Sequence, residues 1–221
     1  MEFLKTWNQN AFADLDISTH VLDLQGWVNR GFEECVGTVV KNLLGKKDVV
    51  VIEIGSWKGR SSNMIAVALK KGGVDCKHLI CVDTWLGSPE HFLDTNYVGM
   101  LPRLNGYAQL YFTFIKNVKS CKNHDIITPL PLPSLQAAYT LECIKIQADA
   151  IYVDAAHEYD AVLADMNAFY GLLKPGGVFW GDDYSNTWPG VQRAVNEFAN
   201  TRSLELVING HNWLMLKPES A

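Results

Sequence analysis

From residue 48 to residue 183 the chain alternates short, uninterrupted apolar runs with helical patterns, and no other feature narrows its fold so far. V-V-V-I-E-I-G follows the polar K-K-D; L-I-C-V-D-T-W occupies 79–85; I-I-T-P-L lies near 126–130; A-I-Y-V-D-A covers 150–155; G-V-F-W-G-D-D covers 177–183. Continuous β-branched runs mark strands covered on both faces, where alternation of polar and apolar residues is not needed. Between them, helical spacing appears over Ser61 to Leu69, 134–144, 158–173 and 189–201. In the 158–173 segment, Val162, Met166, Phe169 and Leu173 share one face. Strands joined through helices require right-handed crossovers, hence an α/β fold with a parallel sheet and helices on both faces. The tail departs from this rule. L-E-L-V-I, N-G-H-N and W-L-M-L-K predict two strands joined by a short Asn-Gly turn, which makes the last strand antiparallel.

The remaining segments frame this core. Residues 18–44 place Val21, Leu24, Trp27, Val28, Phe32, Cys35, Val36, Val39 and Val40 at mostly three- and four-residue steps, which predicts an amphipathic helix broken near Gly26 or Gly31. At 221 residues the chain is read as one domain, with a helical cap over 1–47, a core over 48–217 and an aromatic-rich insert over 86–118. That insert is longer than a simple connection. It is read as a surface helix pair or a self-association face, the latter compatible with a homo-oligomer, or else as a lid over a pocket. A net charge of −5 without a lysine or arginine block argues against a nucleic-acid surface. No apolar stretch approaches the length of a membrane span. Cys35, Cys76, Cys81, Cys121 and Cys143 are odd in number and form no C-x-x-C, which fits reduced thiols. With no leader-like N-terminus, a soluble cytoplasmic protein is expected.

In an open parallel sheet, ligands bind beyond the carboxyl ends of the strands. The first such end reads E-I-G-S-W-K-G-R-S-S, where Gly55 and Gly59 flank a turn opening a helix, so that backbone can approach a ligand. It is neither G-x-G-x-x-G nor a phosphate loop ending in G-K-[ST]. The second strand ends at Asp83, about 30 residues after Glu53, where a carboxylate suits two ribose hydroxyls; a plain strand-end cap is the other reading. The third constellation is Asp154 and His157, as D-x-x-H after one strand, with Asp182 and Asp183 after the next. One crossover brings these two strand ends side by side. Three carboxylates held close repel one another unless protonated or neutralised. A hard divalent cation, Mg²⁺ before Ca²⁺ or Mn²⁺, resolves the conflict. His157 beside it is suited to take a proton from a hydroxyl. Taken one at a time, helix capping by Asp154 and simple surface polarity of the aspartates remain alternatives.

Together, V-I-E-I-G-S-W-K-G-R-S, V-D-T-W-L-G-S, I-Y-V-D-A-A-H-E-Y-D and L-L-K-P-G-G-V-F-W-G-D-D-Y resemble the class I S-adenosylmethionine-dependent methyltransferases. More narrowly, the chain is similar to the metal-dependent macrolide-sugar and aminocoumarin-sugar O-methyltransferases over roughly 48–217. The resemblance implies a Rossmann-like, seven-stranded, mostly parallel sheet with the last strand antiparallel. It implies that S-adenosylmethionine is bound by Gly55, Gly59 and Ser61 at its methionine part, with Glu53 and Asp154 also in the cofactor site, by Asp83 at the ribose and by Ser134 at the adenine edge. Asp154, Asp182 and Asp183 match metal ligands, and His157 the proposed base, with Asp154 counted in the catalytic set. Catechol-type enzymes look similar but carry Lys in place of His157 and Asn in place of Asp183, so a sugar or other vicinal diol is the expected acceptor, a small molecule or a glycan. Trp85, His91, Tyr184 and Trp188 are candidates to line the adenine or acceptor pocket, packing being the alternative for both tryptophans. Cephalosporin-hydroxylase-like enzymes share much of this motif set and form the rival reading.

Overall fold

The computed structural model describes residues 2–219. In chain order the elements are α1 (Glu2–Phe12), α2 (Arg30–Leu43), β1 (Val49–Ile54), α3 (Arg60–Lys71), β2 (Cys76–Asp83), α4 (Glu90–Leu93), α5 (Thr95–Val98), β3 (Arg103–Leu104), β4 (Tyr107–Ala108), α6 (Leu110–Ser120), β5 (Ile127–Pro131), α7 (Ser134–Cys143), β6 (Ala148–Val153), α8 (Tyr159–Tyr170), β7 (Leu173–Gly181), α9 (Pro189–Thr201), β8 (Val207–Asn209) and β9 (Asn212–Leu216). The main sheet has seven strands in the order β5-β2-β1-β6-β7-β9-β8. Pairing from β5 through β7 is parallel, and β9 is antiparallel to both its neighbours. The expected fold class is therefore the observed one. The order reverses between β1 and β6, which opens the crevice at that point.

The continuous apolar runs have a visible cause. Every residue of β1 and of β6 is buried. Along β1, Val50, Ile52 and Ile54 belong to one core layer while Val49 and Val51 belong to the other, so both faces of the strand are covered. Fully burying one such side chain stabilises the fold by about 1.5–3 kcal/mol. At the β5 edge, α1 seals the open strand: Trp7 Nε1 donates to the Pro129 carbonyl at 2.6 Å and Asn8 Nδ2 to Ile127 at 3.0 Å. A covered edge cannot template another chain.

Three expectations need correction. The predicted helix over 18–44 begins only at Arg30, with Asn29 Oδ1 capping it by accepting from the Phe32 amide at 3.1 Å. Upstream, Val21 and Leu22 are exposed, and the segment is held by polar contacts to distant parts of the chain. Asn117 Nδ2 donates to the Asp23 carbonyl, Lys58 pairs with Asp23 at 2.7 Å, and Arg60 donates to the Gly26 carbonyl. Next, β7 starts at Leu173, within the predicted helix. The register shifts between the Leu173 and Val178 pairings, with Gly176 at a φ of 70° inside the irregularity. Finally, β8 starts at Val207 rather than at Leu204.

The insert divides. Its last helix, α6, is core: Leu110, Phe114, Ile115 and Val118 are buried. Only its first part, around α4 and α5, reaches the crevice.

Candidate active site

One cleft of about 870 Å³ runs along the carboxyl edge of the sheet, from Ser134 and Asp165 past Asp83 and Gly55 to Asp154, His157 and Asp183. Two strand ends, β1 and β2, build its middle. Gly55 has a φ of 87°, and a Cβ there would overlap the Asp154 carbonyl, so the turn must be glycine for β1 and β6 to meet. Beneath it, Glu53 is fully buried and accepts from Ser56 Oγ at 2.9 Å, from Ser61 Oγ at 2.6 Å and from Ser62 Oγ. Burial raises its pKa, and those hydroxyls offset only part of the rise. The carboxylate thus holds the glycine turn to the start of α3 from below.

Asp83 does comparable work above. Its two oxygens accept the backbone amides of Trp57 at 2.8 Å and Trp85 at 2.7 Å. Both tryptophans sit at positive φ, 47° and 52°, a conformation a bulky residue adopts only when its surroundings enforce it. Asp83 also lines the cleft. Burial raises its pKa against the lowering effect of those amides.

The other end of the cleft is built by β6 and β7. Asp154 follows β6 and accepts from Tyr152 Oη at 3.1 Å. Burial first, and then the charges of Asp183 and Asp182, push its carboxyl well above the usual range. Asp182 is buried and accepts from the Asp183 amide at 2.8 Å; burial raises its pKa as well, with Asp183 adding to the shift. Asp183 has a φ of 65° and its Oδ2 lies 3.1 Å from His157 Nε2. A carboxylate can only accept, so the shared proton belongs to Nε2 and Nδ1 is the basic atom. Glu90 Oε1 from α4 stands 3.9 Å from Nδ1, and the imidazole stacks on Trp188 with centroids 3.8 Å apart and planes at 11°. Burial lowers the pKa of His157, but the hydrogen bond and charge of Asp183, with Glu90, outweigh it and the net shift is upward.

The donor chemistry of Asp154, Asp182 and Asp183 fits a hard divalent cation: neither Asp154 nor Asp182 has a lysine or arginine partner among the described residues, and their mutual repulsion seeks a positive charge. The arrangement is not a preformed cage, since among the described residues no three acidic, thiol or imidazole groups are placed to hold a metal.

Gly55, Ser61, Asp83, Ser134, Asp154, His157, Asp182, Asp183, His91 and Trp188 all line the cleft. Four expected site residues do not. Glu53 is turned into the core under the turn. Gly59, at a φ of 85°, caps α3, with the space beside its Cα filled by Phe114. Trp85 is 1% exposed, donates from Nε1 to the Trp57 carbonyl at 2.8 Å and packs on Phe114. Tyr184 points away and donates from its hydroxyl to Asn196.

Sequence reading overlooked Trp57, Glu90 and Asp165. Trp57 belongs to the glycine turn itself and stacks on His91 at 4.4 Å. His91 Nδ1 accepts from the Ser88 amide at 3.2 Å, so its proton sits on Nε2, which is buried and without a partner among the described residues. Burial lowers the pKa of this imidazole, which keeps it neutral.

A protein family described as a methyltransferase domain matches residues 52–184, more than half of the chain and every strand end that builds the cleft. The chain belongs to this methyltransferase-domain family. Among solved structures the chain is similar to the O-methyltransferase NovP, at 16% identity over 99% of both chains with a TM-score of 0.61. It is also similar to the O-methyltransferase TomG from Streptomyces achromogenes in complex with SAM, at 14% identity over 100% of this chain and 91% of that one, TM-score 0.59. At such identities the likeness establishes the fold. One curated relative, an uncharacterized protein of Acanthamoeba polyphaga mimivirus, is 25% identical over 71% of this chain, and the match spans 62% of that relative's length. No helix among the described residues is long and apolar enough to cross a membrane.

Proposed function

We propose that the protein transfers the methyl group of S-adenosylmethionine to a hydroxyl of a sugar or another vicinal diol. The observation that carries this reading is His157, held between Asp183 and Glu90, stacked on Trp188 and facing the same cleft as the Gly55 turn and Asp83. Gly55 and Ser61 take the amino-acid end of the cofactor, and Asp83 accepts from its ribose hydroxyls. The acceptor oxygen is aligned with the methyl, and positioning supplies much of the rate. As the oxygen–carbon bond forms and the carbon–sulfur bond breaks, Nδ1 of His157 takes the hydroxyl proton. The products are a methyl ether, S-adenosylhomocysteine and an imidazolium flanked by Asp183 and Glu90. A divalent cation, Mg²⁺ in the first instance, would be held by Asp154, Asp182 and Asp183, and it supplies Lewis acidity toward the diol when bound.

Methyl-labelled S-adenosylmethionine, offered with a panel of free and nucleotide-linked sugars and with catechol, tests the reading. Label should enter a sugar diol, stop when EDTA is added and resume with Mg²⁺. Labelling of catechol alone overturns the acceptor class, and full activity in EDTA removes the metal.

A further inference from the structure

Three buried side-chain atoms lack a hydrogen-bond partner among the described residues: Trp180 Nε1, Asn212 Oδ1 and His91 Nε2. Of these three residues only His91 lines the cleft. It is 7% exposed, and its other ring nitrogen is already engaged, since Nδ1 accepts from the Ser88 amide at 3.2 Å with Ser88 Oγ 2.9 Å away. An imidazole that accepts at Nδ1 is the neutral tautomer with its proton on Nε2, so the orphan is a donor. A buried N–H without an acceptor is unfavourable, yet the surroundings hold this one in place. The ring stacks on Trp57 at 4.4 Å and meets Tyr97 edge-on at 6.0 Å, while Arg103 Nη2 donates to the His91 carbonyl at 3.2 Å.

The neighbours on either side of His91 indicate what this donor can meet. Trp57 belongs to the glycine turn that takes the methyl donor, and Glu90, the residue before His91, stands 3.9 Å from Nδ1 of His157. His91 thus joins the methyl-donor end of the cleft to the base, which is where an acceptor has to lie. The two diol oxygens are already assigned to the His157 and aspartate end, so a partner for Nε2 is a further oxygen. Trp57 and Tyr97 also line the cleft, and their rings offer apolar faces to the C–H side of a sugar.

We propose that His91 is a specificity residue for the acceptor: its Nε2–H donates to a third oxygen beyond the diol, so the preferred acceptor is a polyhydroxylated ring such as a pyranose rather than a bare diol. The inference rests on the methyl-transfer reading above and narrows its substrate class. A site built to donate to a substrate oxygen discriminates against an analogue that lacks it, because the buried donor then stays unpaired.

Steady-state methyl transfer by the full chain, with the panel sugar that takes most label and with cyclohexane-1,2-diol, tests it alongside calorimetric titration with S-adenosylhomocysteine. His91→Phe keeps the stack on Trp57 and removes the donor. It should raise KM for the sugar by about 5- to 50-fold and leave kcat close to the wild-type value. Use of cyclohexane-1,2-diol, which has no third oxygen, and affinity for S-adenosylhomocysteine should match the wild type. His91→Gln returns a donor on its side-chain amide and should recover part of the loss, which a purely structural role would not allow. An unchanged KM for the sugar in His91→Phe overturns the assignment, and so does an equal loss on the bare diol. A matching fall in affinity for S-adenosylhomocysteine also overturns it, because the donor would then serve the cofactor. If the wild type labels no sugar of the panel, the acceptor reading itself fails, and the inference with it.

Discussion

The carboxylates at the two halves of the cleft differ in who satisfies them. At the β1 and β2 ends, Glu53 is met by three serine hydroxyls and Asp83 by two backbone amides, all supplied by neighbouring segments. At the β6 and β7 ends, Asp154 has one tyrosine hydroxyl, Asp182 one backbone amide, and both feel Asp183 as a like charge. The first half uses negative charge to fix the chain; its geometry is complete without a guest. The second half stores unmet charge next to a histidine, which is an arrangement for binding a cation and moving a proton. Position at a strand's carboxyl end is common to both, so position alone does not say which work an acid does.

The contrast breaks first at His157. His157→Ala should lower methyl transfer by about 10²- to 10⁴-fold, the usual contribution of a general base. The melting temperature should stay within a few degrees, because the half-buried ring contributes mainly its stack on Trp188. A near-wild-type rate at saturating S-adenosylmethionine would remove His157 from the proton path.

On the other side, Glu53→Ala should act through stability. It leaves the hydroxyls of Ser56, Ser61 and Ser62 without their acceptor in a site with no exposure. Each unsatisfied buried group costs about 1–3 kcal/mol, so a loss of roughly 3 kcal/mol or more is expected in denaturant unfolding. Glu53→Gln keeps one acceptor oxygen and should lose less. If the alanine variant unfolds like the wild type, the strut role is wrong.

Much of this was legible in the sequence, and the misses share a cause. The parallel order and the antiparallel tail followed from uninterrupted apolar runs and from N-G-H-N, because burial on both faces leaves a local signature. That Asp154, His157, Asp182 and Asp183 would share one cleft was legible because a single crossover brings two consecutive strand ends together. Residues 18–29 were misread because Val21, Leu24 and Val28 mimic a helical stripe, whereas the backbone there is set by Lys58, Arg60 and Asn117, which lie far along the chain. Glu53 and Trp85 were placed in the site because they flank motif residues, yet strand alternation turns Glu53 away from the cleft. Asp165 was invisible because an acid on a helix ordinarily means a solvated face, and only α7 packing beside it closes it off.

Asp165 lies at the end of the cleft away from His157, so it tests whether unmet charge is confined to the reacting half. Its pKa is raised from 3.8 to about 6 in the folded chain, chiefly by burial. Below pH 4 the carboxyl is protonated in both folded and unfolded states and costs nothing. Between about pH 4 and pH 6 the unfolded chain releases the proton while the folded one keeps it, so stability falls as pH rises, and above pH 6 the loss is complete. A shift of this size corresponds to roughly 2–3 kcal/mol. Asp165→Asn cannot ionise and should therefore be more stable than the wild type at pH 7 by up to that amount, with the gap closing toward pH 4. Unfolding curves of the two proteins at pH 4, 5.5 and 7 measure it directly. A gap that is constant with pH would mean the carboxylate is already satisfied in the folded chain, and the division between the two halves of the cleft would then hold without exception.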